Sequence, residues 1–201
     1  GEMIFGAAKG MKDFVVITLG TGLGSGIVVN GDLVYGHDGF AGEVGHTTVF
    51  MDGRQCGCGK KGCLETYASA TGIVRTMTEM LCNSRKPSQL RDIPNSKLTS
   101  YDVFKAYQQG DELAKECFDY TGKILGMKLA DVVCHTSPST IFLFGGPAKA
   151  GDAIIKPTKE SMEAYLLPIF KNKIEIKLSG LMDKNAAVLG ASALAWKELE
   201  K

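Results

Sequence analysis

The chain has 201 residues, 44% of them hydrophobic and 22% charged, with a formal net charge of +1, the mix of one globular domain with enough apolar material for a core. Near-neutral charge without a Lys/Arg run argues against a nucleic-acid partner, and the chain has neither the roughly 18 apolar residues of a membrane span nor a signal-peptide layout. Of six cysteines, three cluster and three stand alone in apolar surroundings, which fits free thiols in a reducing, cytoplasmic compartment better than a disulfide framework.

The opening "GEMIFGAAKG" reads as the tail of a helix already under way, so the natural start is expected upstream of Gly1. "FVVITL" (residues 14–19) is a β-rich apolar run that meets the glycine loop "GTGLGSG", then "IVV", then Asn30-Gly31 and "DLVYG". Asn-Gly between apolar runs is a strong hairpin signal, since both residues tolerate positive φ, and the pattern reads strand, glycine loop, strand, turn, strand. A cysteine-rich stretch follows, and from Leu64 to about Leu81 the pattern turns helical. "NSRKPSQLRDIPNS" is a polar loop with two prolines, and Thr99 to Asp102 opens a short helix as a capping box that Gly110 ends. Leu113, Phe118, Ile124, Leu125, Leu129 and Val132 share one broad face of a long helix that Pro138 stops, with Gly122 and Gly126 one turn apart for close packing. "TIFLF" (140–144) is a buried strand running into "GGPAKAGD". A helix around Lys159 to Leu167, a strand "IEIKL" and a closing helix from about Asn185 to Leu199 complete a mixed α/β pattern without internal repeats.

The stretch "GEVGHTTVFMDGRQCGCGKKGCLE" (42–65) concentrates the metal-binding chemistry. Thiolates and imidazole are the ligands zinc prefers, and Cys56, Cys58 and Cys63 lie on a loop that its glycines let fold tightly, with His46 as the obvious fourth ligand. A disulfide between Cys56 and Cys58 would be badly strained. Four protein ligands close the coordination shell, so this zinc is expected to be structural, which weighs against a hydrolase. Glu43 and Glu65 are tied in sequence to the ligands His46 and Cys63. With the imidazole's other nitrogen fixed as a donor, the two carboxylates form a cradle for a polyhydroxylated molecule; as ordinary loop glutamates they would simply be solvated. Spacing alone leaves these two readings level.

"TLGTGLGSG" (18–26) offers backbone amides that can converge on a phosphate. It does not open a helix, so a dinucleotide fingerprint fails, and no lysine lies between Lys12 and Lys60 to complete a Walker A loop. A phosphate-binding turn between two strands remains. A second glycine corner, "FGGP" (144–147), follows a buried strand and can seat a base or simply turn the chain.

In this order "ITLGTGLGSGIVVNG", "GFAGEVGH", "CGCGKKGCLE" and "FLFGGP" resemble the signature of the ROK family of repressors and sugar kinases, with a bacterial glucokinase as the nearest likeness. The resemblance implies an α/β fold of the actin-like, ribonuclease H-like ATPase type with an inserted structural zinc loop. It implies that residues 1–201 are the larger, C-terminal domain of a two-domain protein. Gly20, Thr21, Gly22 and Gly24 would form its phosphate turn, Gly145 and Gly146 would line the adenine pocket, and Glu43, His46 and Glu65 would contact sugar hydroxyls. His46, Cys56, Cys58 and Cys63 would hold the Zn²⁺. Family kinases carry an Asp-Gly phosphate turn near their N-terminus and a catalytic aspartate just before the position of Gly1. Neither is here, so this chain alone is expected to be inactive. The implied activity of the intact protein is phosphorylation of a hexose, foremost glucose to glucose 6-phosphate, by ATP with Mg²⁺, in a cytoplasmic homo-oligomer, dimer or tetramer. The alternatives are the sugar-sensing domain of a ROK transcriptional repressor and a zinc-stabilised interaction module without a small-molecule site.

Overall fold

The run Phe14–Leu19 becomes β1, the central strand of a five-stranded mixed sheet in the computed structural model, which describes residues 1–199. Leu23–Val29 (β2) returns antiparallel beside it, and Asp32–Leu33 (β3) continues the meander through Asn30 and Gly31, both at positive φ. On its other side β1 pairs in parallel with Thr140–Phe144 (β4), which pairs in parallel with Glu175–Leu178 (β5), giving the order β3-β2-β1-β4-β5. Parallel pairing requires a crossover. Ala70–Asn83 (α1), Ser100–Gln108 (α2) and Glu112–Thr136 (α3) provide it between β1 and β4. Asp152–Tyr165 (α4) links β4 to β5, and Ala186–Leu199 (α5) ends the described chain. A single helical turn, Glu2–Phe5, precedes β1.

One face of the sheet holds Val15, Ile17 and Leu19 of β1 and Ile141 and Leu143 of β4, packed on Leu125, Leu129 and Val133 of α3. A second cluster joins Ile73 and Met77 of α1 to Val103 and Phe118, so α1 is fixed through the helical layer. The opposite sheet face carries Phe14 and Phe142, edge to face with centroids 5.9 Å apart. Beside them an apolar cavity of about 980 Å³ opens between the sheet, the N-terminal turn and α5.

Three expectations change. The glycine run is not one loop: only Gly20 to Gly22 turn, and Gly24 and Gly26 sit inside β2 opposite Thr18 and Val16. Cross-strand pairing overrides glycine's poor strand propensity. The helix expected from Leu64 begins at Ala70, because Ser69 is extended and its hydroxyl accepts from Gly72 N at 3.0 Å, capping the helix; Leu64–Thr66 is only a 3₁₀ turn. The helix expected from Lys159 starts at Asp152 and runs through Pro157. Interior proline is costly, but here its ring packs at the crossing with α3, where a Cβ on Gly122 would meet Pro157 Cβ at 2.8 Å. The capping box forms with Asp102 in the acidic position: Thr99 Oγ1 accepts from Asp102 N at 3.2 Å, and Asp102 Oδ2 accepts from Thr99 N at 3.0 Å.

The crossing of α3 and α4 depends on the close approach expected at Gly122 and Gly126. A Cβ on Gly126 would lie 2.7 Å from Met162 N and still nearer Thr158 O, both backbone atoms that cannot rotate away. Gly126→Ala is therefore expected to lower stability by about 1–3 kcal/mol through overpacking, read as a lower urea midpoint at unchanged slope.

Candidate sugar and metal site

The "GEVGH" turn lies on β2. Ser25 Oγ donates to Gly42 O and accepts from Val44 N at 3.4 Å, and Val44–His46 closes a 3₁₀ turn. The cysteine loop folds back onto this turn through two backbone bonds, Val49 N to Gly62 O at 2.7 Å and Leu64 N to Thr47 O at 2.9 Å. Lys60 Nζ donates to His46 O at 2.8 Å, and Cys56 N to Lys60 O at 2.9 Å tightens the tip.

These bonds bring His46, Cys56, Cys58 and Cys63 together, with their ligand atoms all within 4.8 Å of one another. Cys56 Sγ stands 3.7 Å from His46 Nδ1, and Cys58 Sγ 3.7 Å from Cys63 Sγ. A tetrahedron built on zinc–sulfur and zinc–nitrogen bonds of about 2.3 and 2.0 Å has edges of roughly 3.5–3.8 Å, so the donor set and its spacing fit such an ion. The thiols differ. Burial, followed by the Glu65 carboxylate, pushes Cys56 up to about 12. Hydrogen bonding from the Lys60 backbone, chiefly, pulls the exposed Cys58 down to about 7, while burial raises Cys63. A bound cation would hold all three as thiolates.

Glu65 Oε1 lies 3.7 Å from His46 Nδ1 and accepts from the Cys56 thiol at 2.9 Å. Glu43 Oε2 lies 3.8 Å from His46 Nε2. The imidazole thus has one nitrogen toward the cysteines and the other toward a carboxylate. Glu43 is well exposed and Glu65 mostly covered. Two carboxylate acceptors, one beside each ring nitrogen, with Nε2 available as a donor, can meet neighbouring hydroxyls.

Because β1 and β4 are parallel neighbours, the two glycine corners fall at the same carboxyl edge of the sheet, where open α/β sheets bind ligands. Gly20 N bonds Gly22 O at 3.0 Å, and Thr21 at the tip is exposed. Gly145 has φ of 104° and touches the end of β1; a Cβ there would lie 2.8 Å from Leu19 C. Gly146 is exposed beside it. The Gly20 carbonyl accepts from Ala70 N at 2.8 Å, so the turn, the α1 N-terminus and the cysteine loop are one connected unit. Gly24, inside β2, flanks the turn without belonging to it. Among the described residues no helix is long and apolar enough to cross a membrane.

Arg54 gave no signal in the sequence, yet it anchors the loop. Its guanidinium, 8% exposed, donates to both Glu79 oxygens at 2.9 and 2.6 Å, to Thr66 O at 2.7 Å and to Thr76 Oγ1 at 2.9 Å. It also stacks 4.4 Å from the Tyr67 ring, whose hydroxyl accepts from Arg54 N at 2.9 Å. A single basic residue between Gly53 and Gln55 has no periodicity to reveal this role.

The ROK family model matches residues 1–198. The chain is 42% identical to a glucokinase of Halalkalibacterium halodurans over 96% of this chain and 59% of that protein. It is 30% identical to an N-acetylglucosamine repressor of Escherichia coli over 96% of this chain and 46% of the repressor. Among solved structures, a ROK family glucokinase from Streptomyces griseus in complex with glucose and AMPPNP superposes with a TM-score of 0.82 at 32% identity, covering 90% of this chain and 59% of the other. The chain therefore spans well under two thirds of the length of these relatives.

Replacing Arg54 by Met removes its donors to the carbonyls of Thr66, at 2.7 Å, and Gly72, at 3.3 Å, and is expected to free the loop. Stability is expected to fall by about 2–3 kcal/mol. Arg54→Lys should not restore it, because one ammonium cannot span the fork. Denaturant titration checks the loss, and faster tryptic cleavage at Lys60–Lys61 locates it.

Proposed function

Since this chain belongs to the ROK family, we propose that it is the larger, C-terminal domain of a cytoplasmic sugar kinase that transfers the γ-phosphate of ATP, with Mg²⁺, to a hexose, converting glucose to glucose 6-phosphate. The observation that carries this is the placing of Glu43 and Glu65 at opposite nitrogens of His46, on the side of the fold where the glycine corners of β1 and β4 meet. The similarity to glucokinases supports glucose as the hexose.

In this scheme Glu43 and Glu65 accept hydrogen bonds from sugar hydroxyls and His46 Nε2–H donates one. The amides of Gly20, Thr21 and Gly22, with the Thr21 hydroxyl, face the phosphates of ATP, and Gly24 keeps the following strand flush behind them. Gly145 and Gly146 leave room for the adenine. The ion assigned to His46, Cys56, Cys58 and Cys63 is Zn²⁺, which supplies a rigid cross-link and, with its shell closed, no open position for water. Its place is supported by the donor set and its spacing. Phosphoryl transfer is largely positioning and charge stabilisation, which such a site provides. The base that takes the proton of the attacking hydroxyl is assigned to an aspartate N-terminal to this chain, which spans 59% of the length of the glucokinase it matches.

A second reading, the sugar-sensing domain of a repressor, draws on the 30% identity to the N-acetylglucosamine repressor. The sequence N-terminal to Gly1 separates the two: an Asp-Gly phosphate turn and an Asn-Asp pair mark a kinase, a helix-turn-helix a repressor.

In the full-length protein Glu65→Gln is expected to raise the KM for glucose about 10- to 100-fold, the worth of a charged hydrogen bond, with the KM for ATP little changed. Equal effects on both would contradict the role. Cys58→Ser is expected to lose the bound metal and disorder the cysteine loop; unaltered zinc content by elemental analysis would refute the ligand assignment.

A further inference from the structure

Gly22 and Glu65 come from different loops, yet a Cβ on Gly22 would fall on Glu65 Oε2, closer than any real side-chain contact, with Cδ at 3.6 Å. Apart from its chain neighbours, no other residue comes within 4 Å of that position. Gly22 is not among the residues at positive φ, so its backbone accepts alanine without strain and only the carboxylate demands an empty place. The other carboxylate oxygen, Oε1, lies 2.9 Å from Cys56 Sγ, so that end of the side chain abuts the ligand cluster. Behind it, Ser69 Oγ donates to Glu65 O at 2.6 Å, and Ala70 N binds Gly20 O at 2.8 Å, holding the two backbones in register. The side chain of Glu65 is therefore clamped between the metal-ligand cluster and the Cα of Gly22. Gly20, in the same turn, faces open space: a Cβ there would meet nothing within 4 Å.

We propose that Gly22 is a positioning residue for the hexose: its missing side chain forms the slot in which the Glu65 carboxylate lies, so the phosphate turn and the sugar subsite share one wall. This rests on the assignment of Glu65 as a hydroxyl acceptor. A shared wall is what transfer between two bound substrates needs, since the reacting atoms must come within about 3–3.5 Å. A methyl group at position 22 pushes the tip of a flexible side chain and not backbone. The protein stays folded while the carboxylate leaves its place.

The test is calorimetry on the full-length protein, with glucose and with AMPPNP as separate ligands. Gly22→Ala is expected to weaken glucose binding about 10-fold or more, with a smaller loss for AMPPNP than for glucose. Gly20→Ala should leave glucose affinity within about 2-fold, whatever it does to AMPPNP. Combined with Glu65→Gln, Gly22→Ala should add almost nothing further to the loss for glucose, because both act through one carboxylate. Loss confined to AMPPNP, additive losses for glucose, or a Gly22→Ala protein that does not fold would each overturn the proposal. If Glu65→Gln weakens glucose and Gly22→Ala does not, the slot alone is refuted. If Glu65→Gln leaves glucose binding intact, the sugar assignment of Glu65 falls and the slot with it.

Discussion

Everything at the site depends on a segment in which apolar packing is confined to a few anchors such as Val44 and Leu64. Between Glu43 and Glu65 the chain is mostly glycine, polar and charged residues, and Phe50 and Met51 are exposed. Beside the backbone bonds that fold it back and the anchoring of Val44 and Leu64 in the core, its shape comes from side chains converging on two points. One is the meeting of His46 with Cys56, Cys58 and Cys63; the other is the Arg54 guanidinium, which draws the loop onto Glu79, Thr76 and the carbonyl of Thr66. The first orients the carboxylates and the second attaches the whole loop to α1. A charged group as enclosed as Arg54 is tolerated only because its donors find partners.

The sheet supplies the frame that brings this loop to the glycine turns. Parallel pairing of β1 with β4 sends both strands to the same edge, so Gly20 and Gly145 become neighbours although 125 positions separate them. The α1 N-terminus, pinned by Ala70 N on Gly20 O, then carries the cysteine loop to the same corner. The glycine turns and the His46–Glu65 cluster thus abut without any long side chain bridging them.

The chain is similar both to glucokinases and to a repressor. The carboxylates, the imidazole and the loop that holds them form the part of the site proposed to bind a sugar. Transferring a phosphate requires in addition a base and a metal-bound nucleotide. The first set lies within this chain and suits a catalyst or a sensor alike, so the fold by itself does not separate them.

Chain-local physics made much of this legible. Apolar β-rich runs marked β1 and β4, Asn30-Gly31 marked the hairpin, Thr99 and Asp102 marked the helix start, and the type and clustering of thiols and imidazole marked the Cys/His cluster. Each of these signals is written within a few turns or strands of backbone. The extent of β2, the start of α4 ahead of Pro157, the clamp of Arg54 and the slot at Gly22 were decided only in the tertiary structure. There, pairing across strands, the helix crossing at Gly122 and the contact of Gly22 with Glu65 join residues far apart in the chain, and no local pattern encodes a distance between them.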